Sequence, residues 1–175
     1  MDQDHSRVTQ SERLNLVRVD HAHHASVIKL LTNRRVHHFF PSTPTEEEAH
    51  AFFERIQKRE REDGLSFWAV IRREDQAFIG LCGLLRQQIE GVDEVEVGYR
   101  LFDRYWRQGY GREAAAACLD YAESALKLSS VISLILAENI PSIGVAERNG
   151  LCFERVVTFH ELPHRLYRIR FRSGE

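Results

Sequence analysis

The stretch Glu94-Val95-Glu96-Val97-Gly98-Tyr99-Arg100-Leu101, followed by Arg107-Gln108-Gly109-Tyr110-Gly111-Arg112, decides how this chain is read. Val95 and Val97 alternate with Glu94 and Glu96, the period of a half-buried strand. From Gly111 onward, Glu113, the alanines at 114 to 117, Cys118, Leu119, Tyr121, Ala122 and Leu126 supply a helix. Two glycines at the mouth of a helix let backbone N–H groups approach an anion closely, and the unpaired first-turn amides favour phosphate there. Arg107 and Arg112 flank the turn and add positive charge. The expectation is a phosphate-bearing ligand lying against the end of a strand; the rival reading is a tight turn with packing glycines.

Working outward, residues 66–72 and 77–85 read as a hairpin around Glu74-Asp75-Gln76, and the loop at 90–93 leads into the central strand. The helix from Gly111 is expected to end near Lys127. Residues 130–137 look like a strand buried on both faces, as in a parallel sheet. Glu138-Asn139-Ile140-Pro141 ends it, and a short helix from about Ser142 stops before Gly150. Residues 152–159 and 164–172 are two last strands, antiparallel to each other, the second alternating Tyr167, Ile169 and Phe171 with Arg168, Arg170 and Arg172.

On the other side, residues 1–11 are polar and read as a flexible N-terminus. Residues 13–19 alternate as a first strand, and Asp20 is an N-cap for a helix carrying Ala25, Ile28 and Leu30 or Leu31. After a connection over 34–42, Thr43, Pro44 and Glu46 read as N-cap, first residue and capping-box partner of a second helix. Ala49, Phe52, Phe53 and Ile56 are its apolar face, and Gly64 stops it. The order β-α-α-β-β-β-α-β-α-β-β makes one α/β (α+β) domain over residues 12–172.

Bulk properties bound the function. The 175 residues suit one domain with a single sizeable core. A net charge of −2 gives no electrostatic case for nucleic acid or an anionic membrane. Arginine makes up 21 of the 24 basic residues, through a use for planar bidentate contacts or through a GC-rich coding sequence. The three cysteines are widely spaced, which suggests free thiols in a reducing compartment. With no signal peptide and no transmembrane run, the expected location is cytoplasmic. The histidines at 21, 23, 24, 37 and 38 lack a cysteine or carboxylate framework, so no metal is expected. Gly109-x-Gly111-x-x-Ala114 fits a dinucleotide pattern on paper, but the glycine lies eight residues beyond Leu101 and the preceding strands look antiparallel.

With these residues in view, the chain resembles the GCN5-related N-acetyltransferases (GNAT), in the branch that contains the ribosomal-protein N-terminal acetyltransferases. The resemblance covers roughly residues 12–172. It rests on Glu96 to Leu101, on Tyr105-Trp106-Arg107-Gln108-Gly109-Tyr110-Gly111 with Glu113-Ala114, and on Asn139 with Ser142 and Glu147-Arg148-Asn149-Gly150. The entry Glu12-Arg13-Leu14-Asn15-Leu16, with Pro41 later, completes it.

The resemblance implies a mixed, mostly antiparallel sheet, splayed between its fourth strand (94–101) and fifth strand (130–137), often at a bulge in the fourth, and flanked by about four helices. It implies acetyl-CoA as co-substrate. Its pantetheine arm would pair with Tyr99, Arg100 and Leu101, and its pyrophosphate would rest on Arg107, Gln108, Gly109, Tyr110, Gly111 and Arg112. An N–H near Gly98 or Tyr99 would stabilise the oxyanion, Asn139 and Ser142 would bond the pantetheine or a water, and Glu96 would be the general base, directly or through a water. Glu94 is a rival base, and a solvated strand residue the bland reading of Glu96. Helix capping beside Pro141 is the bland reading of Ser142.

The chain departs from the family in the last short helix. No tyrosine stands there as acid for the leaving thiolate, which leaves Ser142 or water. Gly150-Leu151-Cys152-Phe153 replaces the usual Gly-Phe, so the following strand is expected to start shifted or bulged. The acceptor pocket is expected between residues 21–60, the connection 34–42 and the hairpin 159–168, with His37, His38, Phe39, Phe40 and Trp68 as lining groups. The expected function is acetyl transfer to a primary amine of a protein N-terminus or small molecule, by a chain that could pair as a homodimer; the alternative is a non-catalytic acyl-CoA sensor or scaffold.

Overall fold

A computed structural model describes residues 6–172. Eight strands form one open sheet in the order β1-β2-β3-β4-β5-β6-β8-β7. They are β1 (Arg7–Gln10), β2 (Leu14–Val17), β3 (Phe67–Arg72), β4 (Phe78–Ile89), β5 (Val92–Leu101), β6 (Ser130–Ile135), β7 (Cys152–Phe159) and β8 (Leu162–Arg170). Four helices flank it: α1 (His24–Leu31), α2 (Glu46–Asp63), α3 (Tyr110–Ser124) and α4 (Ile140–Arg148). Every strand pair is antiparallel except β5 with β6. Among the described residues no helix is long and apolar enough to cross a membrane.

Several expectations are corrected at element ends. Arg7–Gln10, expected to be flexible, pairs with β2 as an edge strand; residues 1–5 lie outside the described residues. The cap of α2 is Thr45, not Thr43: its hydroxyl accepts from Glu48 N–H at 3.2 Å while Glu48 returns a bond to Thr45 N–H at 2.8 Å. The fourth expected strand begins earlier, at Val92, because Glu90 and Gly91 both take positive φ and close a tight two-residue hairpin. His160 and Glu161 do the same between β7 and β8. The shift expected after Gly150 is present, with the register slipping between Phe153 and Arg155. The bulge expected in the fourth strand is absent: β4 and β5 pair without a break from Gly80↔Leu101 to Ile89↔Val92.

Alternation along β5 divides the molecule into two packed layers. Val97 and Leu101 join Leu14, Leu16, Cys82, Tyr110, Ala114 and Cys118 in the core under α3 and α4. Phe67, Leu81 and Leu85 join Val27, Leu30, Phe53 and Ile56 under α1 and α2. Glu96, Gly98 and Arg100 face this second layer. The alanines of α3 are buried at 114, 115 and 117, and their small side chains let the helix lie close against the sheet.

Candidate active site

The sheet opens between β5 and β6. Their ladder is a single parallel pair, Glu96↔Ile132. Beyond it a long contact runs from Ser133 Oγ to the Val97 carbonyl, 3.5 Å. Which β5 groups face the opening follows from register. Phe102 N–H donates to Ile79 C=O, so even-numbered residues here turn their backbone groups toward β4. Val97, Tyr99 and Leu101 turn theirs toward the opening. The amide at the fork that suits an oxyanion is therefore that of Tyr99, because Gly98 bonds back into the sheet. The Leu101 carbonyl is already taken by the Trp106 indole at 2.9 Å, which closes the far end of the free edge.

The glycine turn sits where that edge ends. Gly109 caps α3 with φ of +82°, a conformation that a side chain disfavours. The first intrahelical bond runs from Glu113 N–H to Gly109 C=O, so the amides of 109 to 112 have no partner within the helix. Gly111 serves closeness: a Cβ there would sit 3.2 Å from the Tyr99 ring. Arg13, outside the expected site set, braces the turn. Its guanidinium donates to Gln108 C=O at 3.1 Å and to Glu113 at 2.7 Å, and stacks 4.3 Å from the Tyr110 ring centre. Arg107 and Arg112 flank the turn as expected, and Asn149 holds the Arg112 carbonyl at 3.2 Å.

Glu96 lies at the fork itself. Gln87 Nε2 donates to its carboxylate at 2.8 Å, and the Leu134 backbone supplies a second hydrogen bond. Burial nevertheless dominates and pushes the Glu96 carboxyl up to about 7, with those two bonds and the nearby Arg100 and Arg59 charges opposing the rise. Glu94 has a different environment. Arg168 grips it bidentately at 2.7 and 2.9 Å, and Arg168 also pairs with Glu154. That removes Glu94 as a free base. Arg168 is thereby held between two carboxylates beneath the surface.

Across the opening, the Tyr99 hydroxyl donates to Ser142 Oγ at 3.2 Å, leaving the serine O–H free to donate elsewhere. Burial pushes the Tyr99 phenol up to about 12, the Ser142 contact opposing it, so it stays protonated. Asn139 is the N-cap of α4, accepting from Ser142 N–H at 3.2 Å. Ser142 borders the opening, whereas the Asn139 side chain is committed to capping the helix. Tyr99, Ser133 and Ser142 line a small cavity with Val97, Ala115 and Val145.

The expected lining residues separate. Trp68 lies fully buried in the α3 layer, donating to Glu60 at 2.9 Å, because its strand parity points it away from α1. It is not a lining group. His37 and Phe40 come together around Arg100, whereas Phe39 packs edge-on against His38. Arg100, expected beside the cofactor, turns its side chain to the α1–α2 layer and its backbone toward β4. Gln87, Arg13 and the ring of Phe52 join the site without a sequence signal that assigns them to it. Gln87 is reached only through the β4–β5 register, which composition does not reveal.

The chain belongs to the acetyltransferase (GNAT) domain family, whose model matches residues 13–151. The uncharacterized protein YkkB of Bacillus subtilis is 35% identical over 111 residues, covering 63% of this chain and 64% of that protein. The chain spans 48% to 64% of the length of the curated relatives it matches. An acetyltransferase from Agrobacterium tumefaciens has the same fold, with a TM-score of 0.82 at 22% identity over 93% of this chain and 94% of that one. A ribosomal L7/L12 alpha-N-protein acetyltransferase in complex with coenzyme A gives 0.76 at 16% identity over 91% and 95%.

Proposed function

We propose that the chain is an acetyl-CoA-dependent N-acetyltransferase of the branch containing the ribosomal-protein N-terminal acetyltransferases. The acceptor is a primary amine of a protein N-terminus or small molecule, attacked directly without an acyl-enzyme. The observation that carries this reading is Glu96, a carboxyl without an ion-pair partner, pushed up to about 7 by burial at the point where the sheet forks. A base poised near the working pH is what an amine acceptor requires, since it arrives protonated. An acyl-CoA sensor, the alternative, has no use for such a group.

The residues present fit acyl-CoA. Four first-turn amides, an αL glycine cap and two flanking arginines suit the pyrophosphate. The free edge at Tyr99 suits an extended arm. Acetyl-CoA supplies an acetyl group activated as a thioester. Glu96, as carboxylate, takes a proton from the acceptor ammonium. The new N–C bond forms as the C–S bond breaks. The Tyr99 N–H stabilises the oxygen that gains charge. Ser142, fixed by the Tyr99 phenol, is placed to give its proton to the departing sulfur and to recover, directly or through a water, the second proton that the acylated nitrogen sheds, while the proton on Glu96 leaves to solvent. Measuring thiol release with a panel of peptides and small amines, against a control without acceptor, tests the reading. Amine-dependent release supports it; CoA binding without any release favours the sensor.

A further inference from the structure

Arg100 sits in an enclosure of rings. Its guanidinium carbon lies 4.3 Å from the Phe40 ring centre, 5.0 Å from Phe52 and 6.0 Å from Phe67. Its Nη1 is 2.9 Å from His37 Nε2. Arginine only donates, so that nitrogen accepts, and the imidazole proton sits on Nδ1, 3.1 Å from the Asn33 carbonyl. His37 is therefore held neutral. Burial lowers its pKa, the Asn33 bond opposes this, and the Arg100 charge lowers it further.

Among the described residues no carboxylate lies within ion-pair distance of Arg100. Two other half-buried arginines are paired, Arg72 with Asp75 and Arg168 with Glu94 and Glu154, while Arg59 lies near enough to Glu96 for its charge to act there. A desolvated cation that meets ring faces and one neutral imidazole keeps most of its N–H donors unused. Such a group gains strongly from a planar anion.

The same face of β5 carries Glu96, Gly98 and Arg100, with about 13 Å between the outer α-carbons at strand rise. Gly98 stands between them without a side chain, and the Phe67 ring covers it at 3.5 Å from where a Cβ would be. Resting on the acetyltransferase reading above, we propose that Arg100 binds a carboxylate carried by the acceptor within a few bonds of its reactive amine. Glu96 then meets the ammonium end and Arg100 the anionic end, with Phe40 and Phe67 walling the stem between them. His37 is a positioning residue that fixes the guanidinium edge.

The test compares matched acceptors that differ only in that charge: amino acids against their carboxamides, and peptides with Glu or Asp near the N-terminus against the Gln or Asn forms. The acid form of a pair is expected to have a kcat/KM about tenfold to a hundredfold higher, mainly through KM. Arg100→Gln should bring the pair within about threefold while Arg100→Lys retains part of the preference. A structural role would lower acid and amide alike. Binding of N-acetylated acid and amide products with CoA present, read by calorimetry, gives the same comparison without turnover. Preference in the amino-acid arm or in the peptide arm supports the proposal and says whether the carboxylate belongs to a small molecule or to a protein N-terminus. Turnover with no acid preference, or a preference that survives Arg100→Gln, overturns it and leaves the acetyltransferase reading standing. Arg100-dependent product binding without turnover of any amine does the reverse. Neither turnover nor preferential binding overturns both.

Discussion

Gln87 Nε2 donates to the Glu96 carboxylate at 2.8 Å, and Glu96 is also the β5 residue of the single pair that joins β5 to β6, Glu96↔Ile132. The side chain is thus held from β4 at the point where the sheet divides. One residue ends the ladder, leaves the Tyr99 edge free and holds a titratable group beside it. The fork and the buried carboxyl coincide at one residue.

This arrangement has a stability cost that depends on pH. The Glu96 carboxyl is raised from 4.5 to about 7 in the fold. Below about 4.5 both states carry the proton and the group costs nothing; between about 4.5 and 7 the unfolded state ionises while the folded state keeps its proton, so stability falls as pH rises and levels off above about 7. The loss amounts to about 3 kcal/mol above neutrality. Glu96→Gln, measured by denaturant midpoint, should match the parent at about pH 4 and exceed it at about pH 8. Equal pH dependence in the two proteins would contradict the burial of a titratable carboxyl here.

The glycine turn can be tested by CoA calorimetry alone. Val at position 109 must adopt φ of +82°, and Val at 111 must displace the Tyr99 ring. The paired change Gly109→Val and Gly111→Val should weaken CoA binding by about tenfold to a hundredfold, the equivalent of one or two charge-assisted bonds. Unchanged affinity would remove the phosphate role from this turn.

Arg13 ought to behave as part of the cofactor site although it lies far away in sequence. It is the strut between Gln108, Glu113 and Tyr110. Arg13→Ala should weaken CoA affinity about tenfold, and Arg13→Lys should restore little, because a lysine cannot span both acceptors. Full affinity in the alanine variant would reduce the strut to a surface ion pair.

The Tyr99–Ser142 contact predicts a graded effect on turnover. Tyr99→Phe leaves Ser142 in place without its donor and should lower kcat about threefold to tenfold. Ser142→Ala should lower kcat further while leaving CoA affinity near the parent value. Full kcat in both variants would assign the thiolate proton to water.

Much of the fold was legible because its signals are local. The Val95/Val97 alternation, the Gly109 and Gly111 pair and the alanines of α3 each state their element without help from distant residues. The edge strand Arg7–Gln10 was not legible: its four residues are short and polar, and only pairing with β2 orders them. The site divided along the same line. Glu96 and the glycine turn stand out by their place in the sequence, whereas the Gln87 contact and the ring enclosure of Arg100 exist only through the register of β3, β4 and β5. Trp68 was misplaced because one residue of strand parity decides which layer a side chain enters.

The most direct test of the account is the pH profile of kcat/KM for amine acetylation by the parent and by Glu96→Gln. The account predicts a limb in the parent that rises with pH through about 7, as Glu96 loses its proton, and a drop of roughly 100-fold in the variant with that limb gone and CoA affinity retained. A variant with the parent's rate and the parent's limb would contradict it, and would move the base elsewhere in the fork.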